Sequence, residues 1–433
     1  MNAPAKNSNA LRTMKKLYVY ADFDWLKKEE LIGELLIDSL RGKESYGFQF
    51  SKEWLKKYGN IQLSNDINNY TGIQYCQQNG DIFGCFADSL PDRWGRTLIL
   101  RREQILAIEE NRPVRRLTSY DFLSGIDDYT HIGGFRYKED PNGDYINTSN
   151  KLQIPPIADI KDLIRASNEI ELCEENNSLP EKKWLIQLIH PGTSLGGARP
   201  KATVIDENKL YIAKFPSRND LYDVGLWEHL AHLLAIESGI NCAESKAIKA
   251  GNKYHTLLSK RFDRTTDNIR IHFASAMTML GLKDGSNANT GNGYLDIVDF
   301  IIQNCCNVDY NLKELYRRVA FYISIGNSDD HFRNHGFILT SKGWTLSPAF
   351  DINPSLSKEQ SLLINSYTAA SDLKILLDSC EEYMLNHNTA KQIIEEVLNG
   401  VSKWKMLANK INLPQSEQNI FKDRFITQLS TIK

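Results

Sequence analysis

The sequence predicts an α+β protein in which a β-rich part is followed by a helical part. Three observations carry that reading. Runs with strand-like alternation, such as KLYVYADF (16–23) and KATVIDENKLYIAKF (201–215), fall before residue 265. Segments with apolar residues at helical spacing crowd the chain after it, at 312–326, 372–385, 389–411 and 419–429. Between the two alternating runs, the polar stretch EDPNGDYINTSNKLQIPPI (139–157) carries a Pro–Asn–Gly turn signal and divides the β-rich part in two.

At roughly 150 residues per domain, 433 residues suit two or three domains. The expected organisation is a loose tail at 1–15, a first mixed β/α module at 16–150, a small β-rich lobe at 151–264 and a helical lobe at 265–433. With 41% hydrophobic and 24% charged residues the chain is ordinary for a globular protein and is not wholly disordered. A net charge of -2 supplies no global basic field to hold nucleic acid unaided. The seven cysteines (76, 85, 173, 242, 305, 306 and 380) form no CxxC pair and no zinc-type cluster, so they read as buried free thiols in a reducing compartment. The N-terminal MNAPAKNSNALRTMKK lacks the apolar core of a secretory signal, and no run reaches the roughly 18–20 apolar residues of a membrane span. The expectation is a cytoplasmic protein with no membrane partner.

Taken in order, KLYVYADF is a strand, and SLPDRWGRTLILRREQILAI (89–108) opens with Pro–Asp and continues with helical spacing. HPGTSLGGARPK (190–201) is a glycine-bearing loop; Gly192, Gly196 and Gly197 give backbone freedom for close approach to an anion. It is neither G-x-G-x-x-G nor a P-loop, because Ala198 rather than Lys follows the second glycine of G-x-x-x-x-G. The run 201–215 is a hairpin around DEN that ends at Lys214, LWEHLAHLLAIESGI (226–240) is a helix closed by Gly239, and ESKAIKAGNKYHTLLSKRF (244–262) is a second hairpin turned at Gly251–Asn252. The helical segments follow.

Phosphoryl transfer needs a carboxylate near the attacking hydroxyl, an Asn or Asp and a second Asp for Mg2+, a Lys on the phosphates and a loop whose amides approach them. In protein kinases the catalytic Asp and Asn stand five residues apart and the metal Asp follows on a later segment. GNSDDHFRN (326–334) places Asp329 and Asn334 five apart, and Asp351 follows in SPAFDINPS (347–355). The intervening HGFILTSKGWTLSP alternates around Lys342–Gly343, a hairpin that would return Asp351 to Asn334. Asp329 is then the base or hydroxyl positioner, Asn334 and Asp351 the Mg2+ ligands, and His331 a neighbour of the phosphates. Lys214 closes a strand, with Glu228 of the next helix as the residue that orients it. Phe262, in SKRFDR (259–264), would pack on an adenine where the lobes join. The D-x-x-x-x-N spacing is common by itself, and two Asp before a turn can simply cap a helix; the order of strand Lys, hairpin, helical lobe, Asp/Asn loop and later Asp is what selects the phosphoryl-transfer reading.

The segments SLGGARPK, YIAKFP, SKRFDR, GNSDDHFRNHGF and FDINPS, with LPDRWGR in the first module, resemble the HipA family of serine/threonine kinase toxins from bacterial type II toxin–antitoxin modules. The resemblance runs from about Lys16 onward. It implies a two-lobed, protein-kinase-like fold: a β-rich N-terminal lobe with an extra N-terminal α/β module, and an all-helical C-terminal lobe. It implies that Asp329 is catalytic. ATP and Mg2+ would be held by His331, Phe332, Arg333, Asn334, Phe350 and Asp351, by Lys214, by the loop residues Gly196, Gly197, Ala198, Arg199, Pro200 and Lys201, and by an adenine hinge of Lys260, Arg261 and Phe262. Ser194 matches the serine that such kinases autophosphorylate, where added charge beside the phosphate loop would switch the enzyme off. The family's toxins are neutralised by a helix-turn-helix antitoxin of the HipB type that reads operator DNA, and they phosphorylate aminoacyl-tRNA synthetases, which slows translation and gives dormancy and persistence. The sequence departs from the family pattern at Arg199–Pro200 and at Lys260, and Thr193 stands next to Ser194. Two other classes fit the same residues: a kinase of a small molecule or lipid headgroup, favoured by the lack of DFG and APE segments, and a catalytically inactive module that binds an antitoxin.

Overall fold

A computed structural model describes residues 12–429, apart from 41–42, 78–81, 149–153, 190–196 and 252. The first module is built on three long strands, β1 (Arg12–Ala21), β2 (Glu30–Leu40) and β3 (Lys43–Phe50), followed by α1 (Lys52–Tyr58), β4 (Gln74–Tyr75), α2 (Gly84–Ala87), α3 (Arg93–Glu109), α4 (Ser119–Gly125) and β5 (Phe135–Lys138). The strands form an antiparallel sheet in the order β4-β3-β2-β1-β5. Alternation puts Leu17, Val19, Ala21, Leu35, Ile37, Tyr46 and Phe48 into the core, where Phe48 meets Phe86 of α2 at a ring-centroid distance of 5.2 Å. Strand β1 extends to Arg12, into the stretch read as tail. The antiparallel pairing makes this module α+β rather than α/β.

The second part adds α5 (Ile160–Glu175), α6 (Lys182–Ile189), β6 (Lys201–Asp206), β7 (Lys209–Lys214), α7 (Val224–Glu237), β8 (Ser245–Ile248) and β9 (Thr256–Lys260). Its sheet has the order β6-β7-β9-β8, all antiparallel. The β6–β7 hairpin turns on Glu207 and Asn208, both at positive φ (45° and 65°), as a tight two-residue turn requires. Helices α5 and α6 are absent from the sequence reading. They pack Leu163, Ile164, Ile170, Leu185 and Leu188 against Ala202, Val204, Ala213 and Leu258 of the sheet. Trp94 and Leu98 of α3 enter the same core, so the first module and the small lobe share it.

The last part contains β10 (His272–Ser275), α8 (Ala276–Met279), α9 (Tyr294–Asn304), α10 (Val308–Ile325), β11 (Gly336–Thr340), β12 (Gly343–Leu346), α11 (Leu373–Asp378), α12 (His387–Ser402), α13 (Trp404–Lys410) and α14 (Gln415–Leu429). It is mainly helical, but a three-stranded sheet, β10-β11-β12, belongs to it, so the all-helical expectation is corrected there. The segment 389–411 is two helices broken at Lys403, and 372–385 is α11 followed by a 3-10 turn at Cys380–Tyr383. His272 of β10 stacks on Phe23 at 4.7 Å, which joins this lobe to the first module. The seven cysteines are free as expected; Cys85 and Cys380 are buried, and the other five are partly exposed.

Candidate active site

Two turns of the chain and a set of cross-loop hydrogen bonds assemble the site. Helix α10 stops at Gly326, whose φ is 73° and whose missing Cβ would fall 2.3 Å from the Ser355 carbonyl oxygen. The β11–β12 hairpin, turned at Ser341–Lys342, one residue before the expected Lys342–Gly343, brings the chain back, and the Ser347 amide donates to the Gly336 carbonyl at 2.9 Å. The Asn327 side-chain oxygen then accepts from the Asn353 amide at 3.0 Å, and the Ser328 and Ser355 hydroxyls lie 2.7 Å apart. The loops 327–335 and 351–355 are thereby stitched together, as the hairpin reading anticipates.

The two adjacent aspartates have different environments. Asp330 is buried and accepts from the Tyr294 hydroxyl at 2.6 Å and from His335 Nε2 at 2.8 Å. It anchors the loop. Asp330→Ala is expected to cost ~2–4 kcal/mol, because two buried donors lose a charged acceptor; a lowered thermal midpoint checks this. Asp329, by contrast, is exposed at the cavity, and its carboxylate has no hydrogen-bond partner among the described residues. Partial desolvation by the surrounding protein pushes its carboxyl up; His331 opposes that, and Asp351 and Asp330 add to it.

Lys214 Nζ donates to Glu228 Oε1 at 2.5 Å and to Asp351 Oδ1 at 2.6 Å. The strand-end lysine and the helix glutamate therefore meet as read. Helix α7 is placed by Asp223, which accepts from the Leu226 amide at 3.1 Å, and by Gly225, where a Cβ would lie 2.4 Å from the His255 carbonyl oxygen. Burial would raise the Asp351 carboxyl, but Lys214, by charge and hydrogen bond, reverses this and brings it down to about 2. Glu228 goes the other way: its burial outweighs the share of Lys214 it receives, and its carboxyl is raised. Asp351 also sits at φ 56°, a left-handed conformation uncommon for a side-chain-bearing residue and typical of functional positions.

These groups line a cavity of about 510 Å³ between the lobes. That volume suits a ligand of nucleotide size. Gly197, Ala198, Arg199 and Lys201 line it from the loop, Lys214 and Glu228 from β7 and α7, and Lys260, Arg261 and Phe262 from the joint. Asp329, His331, Arg333, Asn334, Phe350 and Asp351 line it from the helical lobe. Phe262 and Phe350 face each other at 5.3 Å on the apolar wall. One end of the cavity is thus apolar and the other charged, and the donor set fits ATP.

It fits Mg2+ as well. Asn334 Nδ2 donates to the Asp329 carbonyl at 2.9 Å, which leaves its amide oxygen for a cation, and Asp351 Oδ2 has no partner among the described residues. Oxygen donors of this kind suit a hard cation. No cluster of three or more His, Cys, Asp or Glu with metal-binding geometry occurs among the described residues.

Some sequence-derived assignments are corrected. Phe332 is buried in the hydrophobic core and Pro200 lies outside the cavity lining. The Arg261 side chain is committed elsewhere: it pairs with Asp263 and donates to the Thr130 and His131 carbonyls, fixing the joint against the first module. Lys260 pairs with Glu244 at 2.9 Å, and Arg199 pairs with Asp220. Ser194 and Gly196, with Gly192 and Thr193, lie outside the described residues. Sequence reasoning missed Asn353, which donates to Asp351 Oδ1 at 3.1 Å, and Asp92, which lines the cavity from the first module.

A family model described as the HipA-like C-terminal domain matches residues 193–404, and one described as the HipA N-terminal domain matches residues 25–120. The chain belongs to the HipA family. It is similar to the serine/threonine-protein kinase toxin HipA of Shewanella oneidensis, with 24% identity over 217 residues, 44% of this chain and 48% of that one. A protein of Haemophilus influenzae with a provisional kinase name is 26% identical over 179 residues, 37% of this chain and 52% of that one. The chain thus spans about half the length of the curated relatives it matches. Among solved structures it resembles a chain from the complex of Shewanella oneidensis HipA, HipB and operator DNA, with a TM-score of 0.62 and 16% identity over 96% of both chains. That likeness shows the HipA fold, an α+β kinase-like fold of two lobes with an added N-terminal module.

Proposed function

We propose that this chain is a Mg-ATP-dependent serine/threonine protein kinase and the toxin of a bacterial type II toxin–antitoxin system. The observation that carries the reading is Lys214 held between Glu228 and Asp351, with the unpartnered Asp329 carboxylate and the Asn334 amide oxygen on the same cavity. Phe262 and Phe350 take the adenine, and Lys214 meets the phosphates. Asn334 and Asp351 hold Mg2+, which when bound neutralises charge on the transferring phosphoryl group. Asp329 orients the attacking hydroxyl and accepts its proton on a carboxylate oxygen. The Glu228 carboxylate fixes the ammonium of Lys214, so little rearrangement is needed at the moment of transfer. Incubating the purified protein with labelled ATP and candidate proteins tests the reading; label found only in small molecules counts against it.

The finer assignments follow family resemblance. Ser194 is the self-modification site and its phosphate silences the enzyme by repelling the adjoining loop from the nucleotide phosphates. Ser194→Ala is expected to remain active and to keep working after prolonged incubation with Mg-ATP, while wild type decays; an inactive, unmodified variant would count against the switch. The partner is a HipB-type helix-turn-helix antitoxin that carries the contacts to operator DNA, with which the chain corepresses. The net charge of -2 supports that division of labour. The protein substrate is an aminoacyl-tRNA synthetase in the cytoplasm. No helix among the described residues is long and apolar enough to cross a membrane.

A further inference from the structure

Asp92 is the N-cap of α3. Its Oδ1 accepts from the Gly95 amide at 2.7 Å, and its Oδ2 accepts from Lys201 Nζ at 3.0 Å. Two residues on, the Trp94 indole N–H donates to the Lys201 carbonyl at 3.1 Å. The first turn of α3 therefore holds Lys201 by both its backbone and its ammonium. Asp92 and Lys201 both line the cavity, and the Lys201 side chain is only 1% exposed. A Cβ added to Gly197 would lie 3.4 Å from Lys201 Nζ, so this ammonium sits directly beside the glycine loop.

We propose that Asp92 is a positioning residue of the nucleotide site: it holds Lys201 as a second ammonium at the phosphate end, beside Lys214. This rests on the nucleotide-site reading given above. Two lysines at one site repel each other, and each needs a carboxylate to stay in place. Glu228 of α7 holds Lys214, and Asp92, reaching in from the first module, holds Lys201. Burial and the charge of Lys214 both work against the Lys201 ammonium, while Asp92 and Asp351 favour it. A buried ion pair adds little stability over well-packed apolar residues of the same size. Its place on the cavity wall gives it a task. The phosphate end of the site is then completed by a helix that belongs to the N-terminal module.

The test compares ATP with adenosine, which lacks the phosphates, in calorimetric titrations of the full chain. Asp92→Asn and Asp92→Ser both keep an oxygen to cap α3, and Lys201→Met leaves the cap untouched. Each variant is expected to bind ATP about tenfold more weakly, with adenosine affinity at the wild-type level. Asp92→Asn combined with Lys201→Met is expected to be no worse than Lys201→Met alone, because the two residues act as one unit. ATP and adenosine weakening together, ATP affinity unchanged, or losses that add would overturn the proposal while wild type still prefers ATP. A wild-type protein that binds both equally would overturn the nucleotide reading itself, and the proposal with it.

Discussion

Asp329→Gln is expected to lower phosphoryl transfer by ~10²–10⁴-fold, the usual contribution of a positioned general base, and to leave the thermal midpoint at the wild-type value. The reasoning separates Asp329 from its neighbour. The Asp329 carboxylate faces the cavity with no hydrogen-bond partner among the described residues, whereas Asp330 is tied into the core by Tyr294 and His335. Removing an unpaired, exposed charge withdraws nothing from the core and slightly relieves crowding with Asp351. A surface-like cost within about 0.5 kcal/mol is therefore anticipated. Equal activity in variant and wild type would refute the role; a large drop in the midpoint would show that Asp329 has a structural partner instead.

Lys214→Met combines loss of activity with loss of stability, and the two can be separated. The lysine is the shared counter-ion of Glu228 and Asp351 at 2.5 and 2.6 Å. Deleting it leaves the buried Glu228 carboxylate facing the partly exposed Asp351 carboxylate with no counter-ion between them, a defect on the order of 3 kcal/mol, the lower end for a broken buried pair. It also removes an ammonium from the phosphates, so transfer should become undetectable. Adding Glu228→Gln to Lys214→Met removes one of the stranded charges. The double variant is expected to recover part of the lost midpoint and none of the activity. Recovery of activity would mean that Lys214 serves the fold rather than the phosphates.

How much of this was legible in the sequence depends on the distance over which each residue acts. Strand alternation around Tyr18 and around Lys214 is local, and both strands form. The return of Asp351 to Asn334 was readable because a short hairpin admits few geometries. Helix α5 was missed although Ile160, Leu163, Ile164 and Ile170 recur at helical spacing; the charged residues between them interrupt the apolar pattern. Phe332 was assigned to the nucleotide by its place in a motif, yet its side chain turns into the core beside residues that face the cavity. Arg261 illustrates the same limit: its partners, the carbonyls of Thr130 and His131, lie in another module. The Pro–Asp start of α3 was evident as a helix start, but the second oxygen of Asp92 serves Lys201, far along the chain, and no local pattern announces that.

The central claim is that the cavity between the lobes transfers a phosphoryl group from ATP. Intact mass of the purified protein before and after Mg-ATP, with Asp329→Gln alongside and peptide mapping after, tests it most directly. The account predicts a gain of one phosphate, on Ser194, in the wild type alone. No gain from an unphosphorylated wild-type protein, or an equal gain in Asp329→Gln, would contradict it.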